Sequence, residues 1–313
     1  MSEKMATREA YGATLVKLGA TRDFVVLDAD LAAATKTGMF KKAFPDRFFD
    51  CGIAEGNMMS VAAGIAATGV TPFVSTFAMF AAGRAFEQVR NSIAYPHLNV
   101  KICATHAGIT VGEDGATHQC NEDISLMRTI PGMTVINPAD AVETEAAVTA
   151  ALDFDGPMYI RLGRAPVPTL NDRPDYRFEI GKGYVLAGGT DVTLVATGYM
   201  VHLALEARDI LASEGISARV VNIHTIKPLD TALITACAEE TGAVVTAEEH
   251  SIIGGLGSAV AECLADTCPT PLERVGVRDT FGKSGTVPAL LEKFGLTAPE
   301  IAAAARRAIA RKK

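Results

Sequence analysis

Short runs rich in β-branched and aromatic residues alternate with Ala-rich stretches along this chain, and that alternation limits its fold more than any other feature. Strands are expected at residues 24–28, 48–51, 72–75, 100–105, 133–137 and 158–162, with helices at 6–19, 57–67, 80–93 and 141–151. Strands separated by helices call for crossover connections. The pattern therefore predicts an α/β fold, a mostly parallel sheet with helices on both faces. The apolar run Val100-Lys101-Ile102-Cys103-Ala104 suits a central strand covered on both sides.

Residues 164–178 break the pattern with three prolines and several charges, the composition of a linker. The alternation then restarts, with strands at 191–196, 219–222, 243–248 and 272–276 and helices at 201–214, 230–240 and 257–265. The expectation is a first domain over 1–165, a linker over 166–185 and a smaller α/β domain over 186–313. The Ala/Arg/Lys tail after Pro299 reads as a surface helix.

A net charge of -7 argues against nucleic acid as the main partner. No apolar run approaches the roughly 18 residues that span a membrane. The start Met1-Ser2-Glu3-Lys4-Met5 lacks a signal-type apolar core, and the composition suits a cytoplasmic enzyme. The six cysteines form no CxxC pair and no zinc-spaced cluster, so they read as small buried hydrophobes in a reducing compartment. Cys120 lies in a polar loop and is the one candidate for an exposed thiol.

Glu55, in Asp50-Cys51-Gly52-Ile53-Ala54-Glu55-Gly56, follows a strand and a Gly turn and immediately precedes a helical run. A carboxylate there is either a helix cap or a chemical group. Ile53, Met58, Phe77 and Phe80 offer apolar surface to dry it and raise its pKa. The two Phe residues serve equally as core or as a stacking face. His106 ends a central strand, where parallel sheets place their sites. The loop Gly112-Glu113-Asp114-Gly115-Ala116-Thr117-His118-Gln119 brings Asp114 and a second His. Two His and one Asp can hydrogen-bond hydroxyl groups and shuttle protons at a carbonyl oxygen. Their spacing is not that of a zinc site, and no metal ligand is assigned. Gly254-Gly255-Leu256-Gly257 precedes a helix but matches no phosphate-binding fingerprint, so it reads as a tight turn.

Taken with Ser75–Phe80, Leu162-Gly163-Arg164, Lys227-Pro228-Leu229-Asp230 and Glu248–Gly257, these segments resemble the C-terminal half of a transketolase, as it occurs where that enzyme is split into two subunits. The resemblance implies a pyrimidine-binding domain followed by a transketolase C-terminal domain. Glu55 would be the activating carboxyl group at N1′ of thiamine diphosphate. Phe80 would stack on the pyrimidine, with Phe77 and Ile53 close by and Asp30-Leu31 propping the cofactor. His106, Asp114 and His118 would contact the sugars, and Arg164 their phosphate. The reaction implied is transfer of a two-carbon ketol unit between sugar phosphates, as in the pentose phosphate pathway. The Gly-Asp-Gly turn with a following Asn, which holds diphosphate and Mg²⁺, does not occur in the sequence. An N-terminal partner subunit is therefore expected to supply it, in an α₂β₂ heterotetramer built on a β–β dimer.

Three positions depart from the family pattern. Gly56 replaces a His and opens space near the pyrimidine, and Gly83 replaces an aromatic. The run Ala32-Ala33-Ala34-Thr35-Lys36 lacks the usual phosphate-binding Ser, for which Thr35 or Lys36 would substitute. Three other readings compete: a β-type subunit of a 2-oxoacid dehydrogenase, a deoxyxylulose-phosphate-synthase-like fragment, and a non-catalytic scaffold or regulatory paralogue.

Overall fold

The computed structural model describes residues 4–312; Met1–Glu3, part of the polar N-terminal end, and Lys313 lie outside them. The larger sheet has seven strands, in the order Thr225–Lys227, Thr134–Ile136, Met158–Arg161, Lys101–Thr105, Pro72–Phe77, Val25–Asp28 and Phe48–Asp50. All neighbours are parallel except Thr225–Lys227, which runs antiparallel to Thr134–Ile136. One face buries Tyr11, Leu15, Phe40 and Val148, from the helices Thr7–Gly19, Gly38–Ala43 and Ala141–Asp153. The other buries Met58, Met59, Ala62 and Ile124, from the helices Glu55–Ala67 and Asp123–Thr129.

A second sheet holds Leu272–Val277, Val244–Ser251, Val192–Ala196, Ala218–Asn222 and Tyr184–Ala187, the last antiparallel. The strand Tyr184–Ala187 spans the boundary expected at 185/186. The intervening segment is tied down at several points. Pro166–Pro168 pairs with Lys4–Ala6. Asp140 accepts from the amides of Leu170 and Asn171 at 2.6 and 2.7 Å. The Tyr176 hydroxyl donates to buried Glu143 at 2.6 Å, and Glu143 also accepts from Asn222 of the second sheet at 2.8 Å.

Two expectations need correction. The tail is not a surface helix. In Ala298–Ala310, Ile301, Ala304, Ala305 and Ala308 form one buried face in the second core, against Met200, Leu203 and Val275. That is the i, i+3, i+4, i+7 spacing of a core-facing helix. Nor is 80–93 a single α-helix: Met79–Arg84 and Val89–Ala94 are wide π-type turns flanking Phe86–Gln88. The wide turns are closed by bonds such as Ala85 N–H to Phe80 C=O at 3.1 Å. Such turns concentrate at functional sites.

Candidate active site

Parallel strands place their C-terminal ends along one edge of a sheet, and ligands gather there. The loops leaving five adjacent strands of the larger sheet meet at that edge, carrying Asp30–Lys36, Glu55, Phe77–Arg84, His106–Gln119 and Arg164. Residues distant in sequence, such as Val111 and Arg164, 53 positions apart, are thereby brought into contact.

Glu55 opens its helix and is almost fully buried. It is not a cap: the N-cap position is Ala54, and no side chain caps the helix. Its carboxylate pairs with Arg84, whose Nη1 lies 3.0 Å from both oxygens. The same guanidinium sits 4.6 Å above the Phe80 ring. The apolar shell expected around Glu55 is only partly present: Met58 is buried, but Ile53 is 76% exposed. Beside Gly56 lies the Gln88 side chain, whose Oε1 would be 3.0 Å from a Cβ there. At Gly83 a Cβ would meet the Met79 methyl at 2.2 Å, so a larger residue there requires the Met79 side chain to move.

Phe77 and Phe80 stack with centroids 5.8 Å apart and planes 12° apart. His106 stacks on Phe77 at 3.8 Å, and His118 meets the Phe80 edge at 5.6 Å. His106 adopts a left-handed backbone, φ 57°, which turns its ring back over the strand end. Arg8 Nη1 lies 3.0 Å from His106 Nε2, and Thr105 Oγ1 lies 2.9 Å from Nδ1. Arginine can only donate, so Nε2 accepts and Nδ1 carries the proton toward Thr105. Burial, then the charges of Arg8, Arg164, His118 and Lys36, push the His106 pKa down to about 3, so the ring is neutral at pH 7.

The neighbouring loop carries both Thr35 and Lys36. Asp28 accepts from the Thr35 and Thr37 hydroxyls at 2.7 and 2.8 Å and from the Leu31 amide at 2.6 Å. Thr35 is therefore buried and committed. Burial raises Asp28 to about pKa 6. Lys36 stays half-buried in a left-handed conformation, φ 72°, with Nζ 3.6 Å from Glu9. Asp30 and Asp114 are exposed, and Leu31 is half-buried. Arg164 bonds the Val111 carbonyl and lies 3.3 Å from Glu113.

The second half of the chain buttresses this loop. Glu249 accepts the Thr110 amide at 2.6 Å, and burial pushes its pKa up to about 7. A Cβ at Gly108 would lie 2.3 Å from Glu249 Oε1, so this close approach needs glycine, which also takes φ 76°. The Gln119 amide reaches the Lys283 carbonyl at 2.8 Å. Beneath the loop, buried Asp123 binds Arg161 Nε at 2.8 Å and the Tyr159 hydroxyl at 2.9 Å. Cys120 is fully buried, not exposed, and its thiol is pushed well up by burial. In the Gly254–Gly257 turn, Glu248 accepts the amides of Leu256 and Gly257 at 2.7 and 2.8 Å. The carboxylate occupies the helix start that a phosphate would need. Among the described residues no group of three or more His, Cys, Asp or Glu is placed to hold a metal ion.

Residues 3–169 match the family of the transketolase pyrimidine-binding domain and 181–301 that of the transketolase C-terminal domain. The chain is 49% identical to the 6-deoxy-6-sulfo-D-fructose transketolase subunit SqwH of Clostridium sp. (strain MSTE9), over 97% of this chain and 95% of that one. It is 38% identical to an apulose-4-phosphate transketolase subunit from Phocaeicola vulgatus, over 93% and 94% of the two chains. A solved structure described as a split gene transketolase, inactive β4 tetramer, superposes with a TM-score of 0.91 and 56% identity, covering 99% of this chain and 100% of that one.

Proposed function

Because the chain belongs to the transketolase family, we propose that it is the C-terminal subunit of a two-chain, thiamine diphosphate-dependent transketolase. Its domains in this reading are 1–165 and 186–313, joined by 166–185. It moves a two-carbon ketol unit from a ketose phosphate to an aldose phosphate. The reading rests above all on the Glu55–Phe80 corner, where a buried carboxylate and an aromatic face converge on one flat cation, Arg84. One carboxyl group plus one stacking face is the donor set that an aminopyrimidine edge and ring require.

When bound, the cofactor would supply a nucleophilic carbon and an electron sink. Glu55 would hold a proton toward N1′ of the pyrimidine, Phe80 would stack on it with Phe77 behind, and Ile53, Asp30 and Leu31 would line the approach. His106, neutral with its Nε2 lone pair available, accepts from a sugar hydroxyl when Arg8 turns to an anion. His118 and Asp114 take the other hydroxyls. Lys36 and Arg164 face the anionic end of the sugar, where relatives named for sulfofructose and apulose 4-phosphate indicate variation. The diphosphate and Mg²⁺ are gripped by an N-terminal partner subunit, in a cytoplasmic α₂β₂ heterotetramer. Among the described residues no helix is long and apolar enough to cross a membrane.

The test is reconstitution. This chain is assayed alone and with the diphosphate-binding subunit for thiamine diphosphate- and Mg²⁺-dependent transfer from xylulose 5-phosphate to ribose 5-phosphate. Activity is expected only with both chains. Turnover of pyruvate in place of the ketose moves the assignment to a dehydrogenase or synthase, and assembly without any turnover to a scaffold. In the active complex, Lys36→Ala is expected to raise KM for the phosphorylated donor roughly tenfold and leave kcat within about twofold, the signature of a lost uniform binding contact. An unchanged KM removes Lys36 from the anion site.

A further inference from the structure

We infer that Arg84 occupies the pyrimidine's place in the unloaded subunit and competes with the cofactor for it, so that this side chain sets the affinity of the assembled enzyme for thiamine diphosphate. The inference rests on the reading of the Glu55–Phe80 corner given above. One guanidinium nitrogen donates to both Glu55 oxygens at 3.0 Å. The guanidinium carbon lies 4.6 Å over Phe80. These are the two contacts a pyrimidine would make, one at its edge and one at its face. While Arg84 holds them, both carboxylate oxygens are engaged by the cation and the guanidinium covers the Phe80 face on its side.

The two partners differ in freedom. The Glu55 side chain is 2% exposed and fixed at a helix start, whereas the Arg84 side chain is 54% exposed. Only Arg84 can leave. Its backbone lies in the wide turn Met79–Arg84, and a rotation of the side chain alone releases both contacts. Departure without replacement would strand a buried carboxylate, which is unfavourable. The release is therefore an exchange: a planar hydrogen-bonding ring enters as a planar hydrogen-bonding cation leaves. Until then the ion pair satisfies a carboxylate that the subunit must bury to be ready for the cofactor.

A contact that closes the competent state raises the apparent dissociation constant by the reciprocal of the fraction of molecules left open. A clamp shut about 90% of the time corresponds to roughly a tenfold weaker apparent affinity. The experiment is calorimetric and stopped-flow titration of the assembled two-subunit complex with thiamine diphosphate and Mg²⁺. Wild type, Arg84→Met and Arg84→Lys are compared. Arg84→Met is expected to lower Kd about tenfold, mainly through faster association, with Arg84→Lys intermediate because it keeps the charge and loses the planar stack. If Arg84→Met fails to assemble, a Kd at least threefold below wild type in Arg84→Lys supports the inference. Equal or weaker binding in the variants, beside normal uptake by wild type, overturns the inference alone. No uptake by the wild-type complex overturns the reading of the corner as a pyrimidine site, and the inference with it.

Discussion

Glu55→Ala in the assembled two-chain enzyme is expected to reduce kcat by roughly 10³-fold, within the range for loss of a positioned proton-sharing group, while the two chains still assemble. The side chain is buried at the start of its helix and makes no cap bond, so its removal takes nothing from the helix backbone. What it removes is the one carboxylate at the Phe80 corner and the anchor of Arg84. Single-turnover kinetics with saturating cofactor separates this effect from weaker cofactor binding. Glu55→Gln, which keeps volume and hydrogen bonding but cannot exchange a proton, is expected to fall nearly as far. Turnover within tenfold of wild type in the alanine variant would show that another group activates the cofactor.

The largest effect on stability is expected at Asp123, which is buried beneath the His118 loop and is not among the candidate site residues. Both Asp123 and Arg161 are almost fully buried, and their 2.8 Å contact is reinforced by the Tyr159 hydroxyl. Arg161 also donates to the Glu249 carbonyl at 2.8 Å. The cluster therefore joins the floor of the His118 loop to the second half of the chain. Asp123→Ala leaves a buried guanidinium without its counter-ion and is expected to cost about 3–5 kcal/mol, read by denaturant or thermal unfolding of the purified chain. The double variant Asp123→Leu with Arg161→Met removes both charges and is expected to recover most of that loss. A single-variant loss below about 1 kcal/mol would mean that water reaches the pair and screens it.

The periodic part of the fold was legible in the sequence. Helices expected at 57–67 and 201–214 appear as Glu55–Ala67 and Met200–Ser213, and the central strand at 100–105 as Lys101–Thr105. These segments announce themselves because burial imposes a local period on their residues. Short elements carried too little pattern. The helices Ala32–Thr35 and Asp123–Thr129 and the strands Pro166–Pro168 and Thr225–Lys227 were missed. The candidate side chains expected at the site do lie at one edge of the sheet, because their motifs follow strand ends. Their polar partners were not foreseen. Arg8 meets His106 across 98 positions, Arg84 meets Glu55 across 29, and Glu249 meets Thr110 across 139. Each partner is a charged residue in a segment whose local pattern gives it no distinguishing role, and only tertiary packing selects it. The amphipathic period of 298–310 was present but masked by its alanines, which read as apolar or neutral according to what they face.

The strand Thr225–Lys227 has a practical bearing on anyone who dissects this chain. It belongs to the second half by sequence yet closes the rim of the first sheet beside Thr134–Ile136, with the Lys227 ammonium holding the carbonyls of Arg128 and Ile130 at 2.9 and 2.5 Å. A fragment ending anywhere in 169–183 would leave a row of unpaired backbone donors and acceptors along an apolar strand. That is a template for edge-to-edge aggregation. The two halves are separable as sequence families, but an expression fragment of the first half is expected to stay in solution better when it carries residues 225–227 or a charged substitute for them.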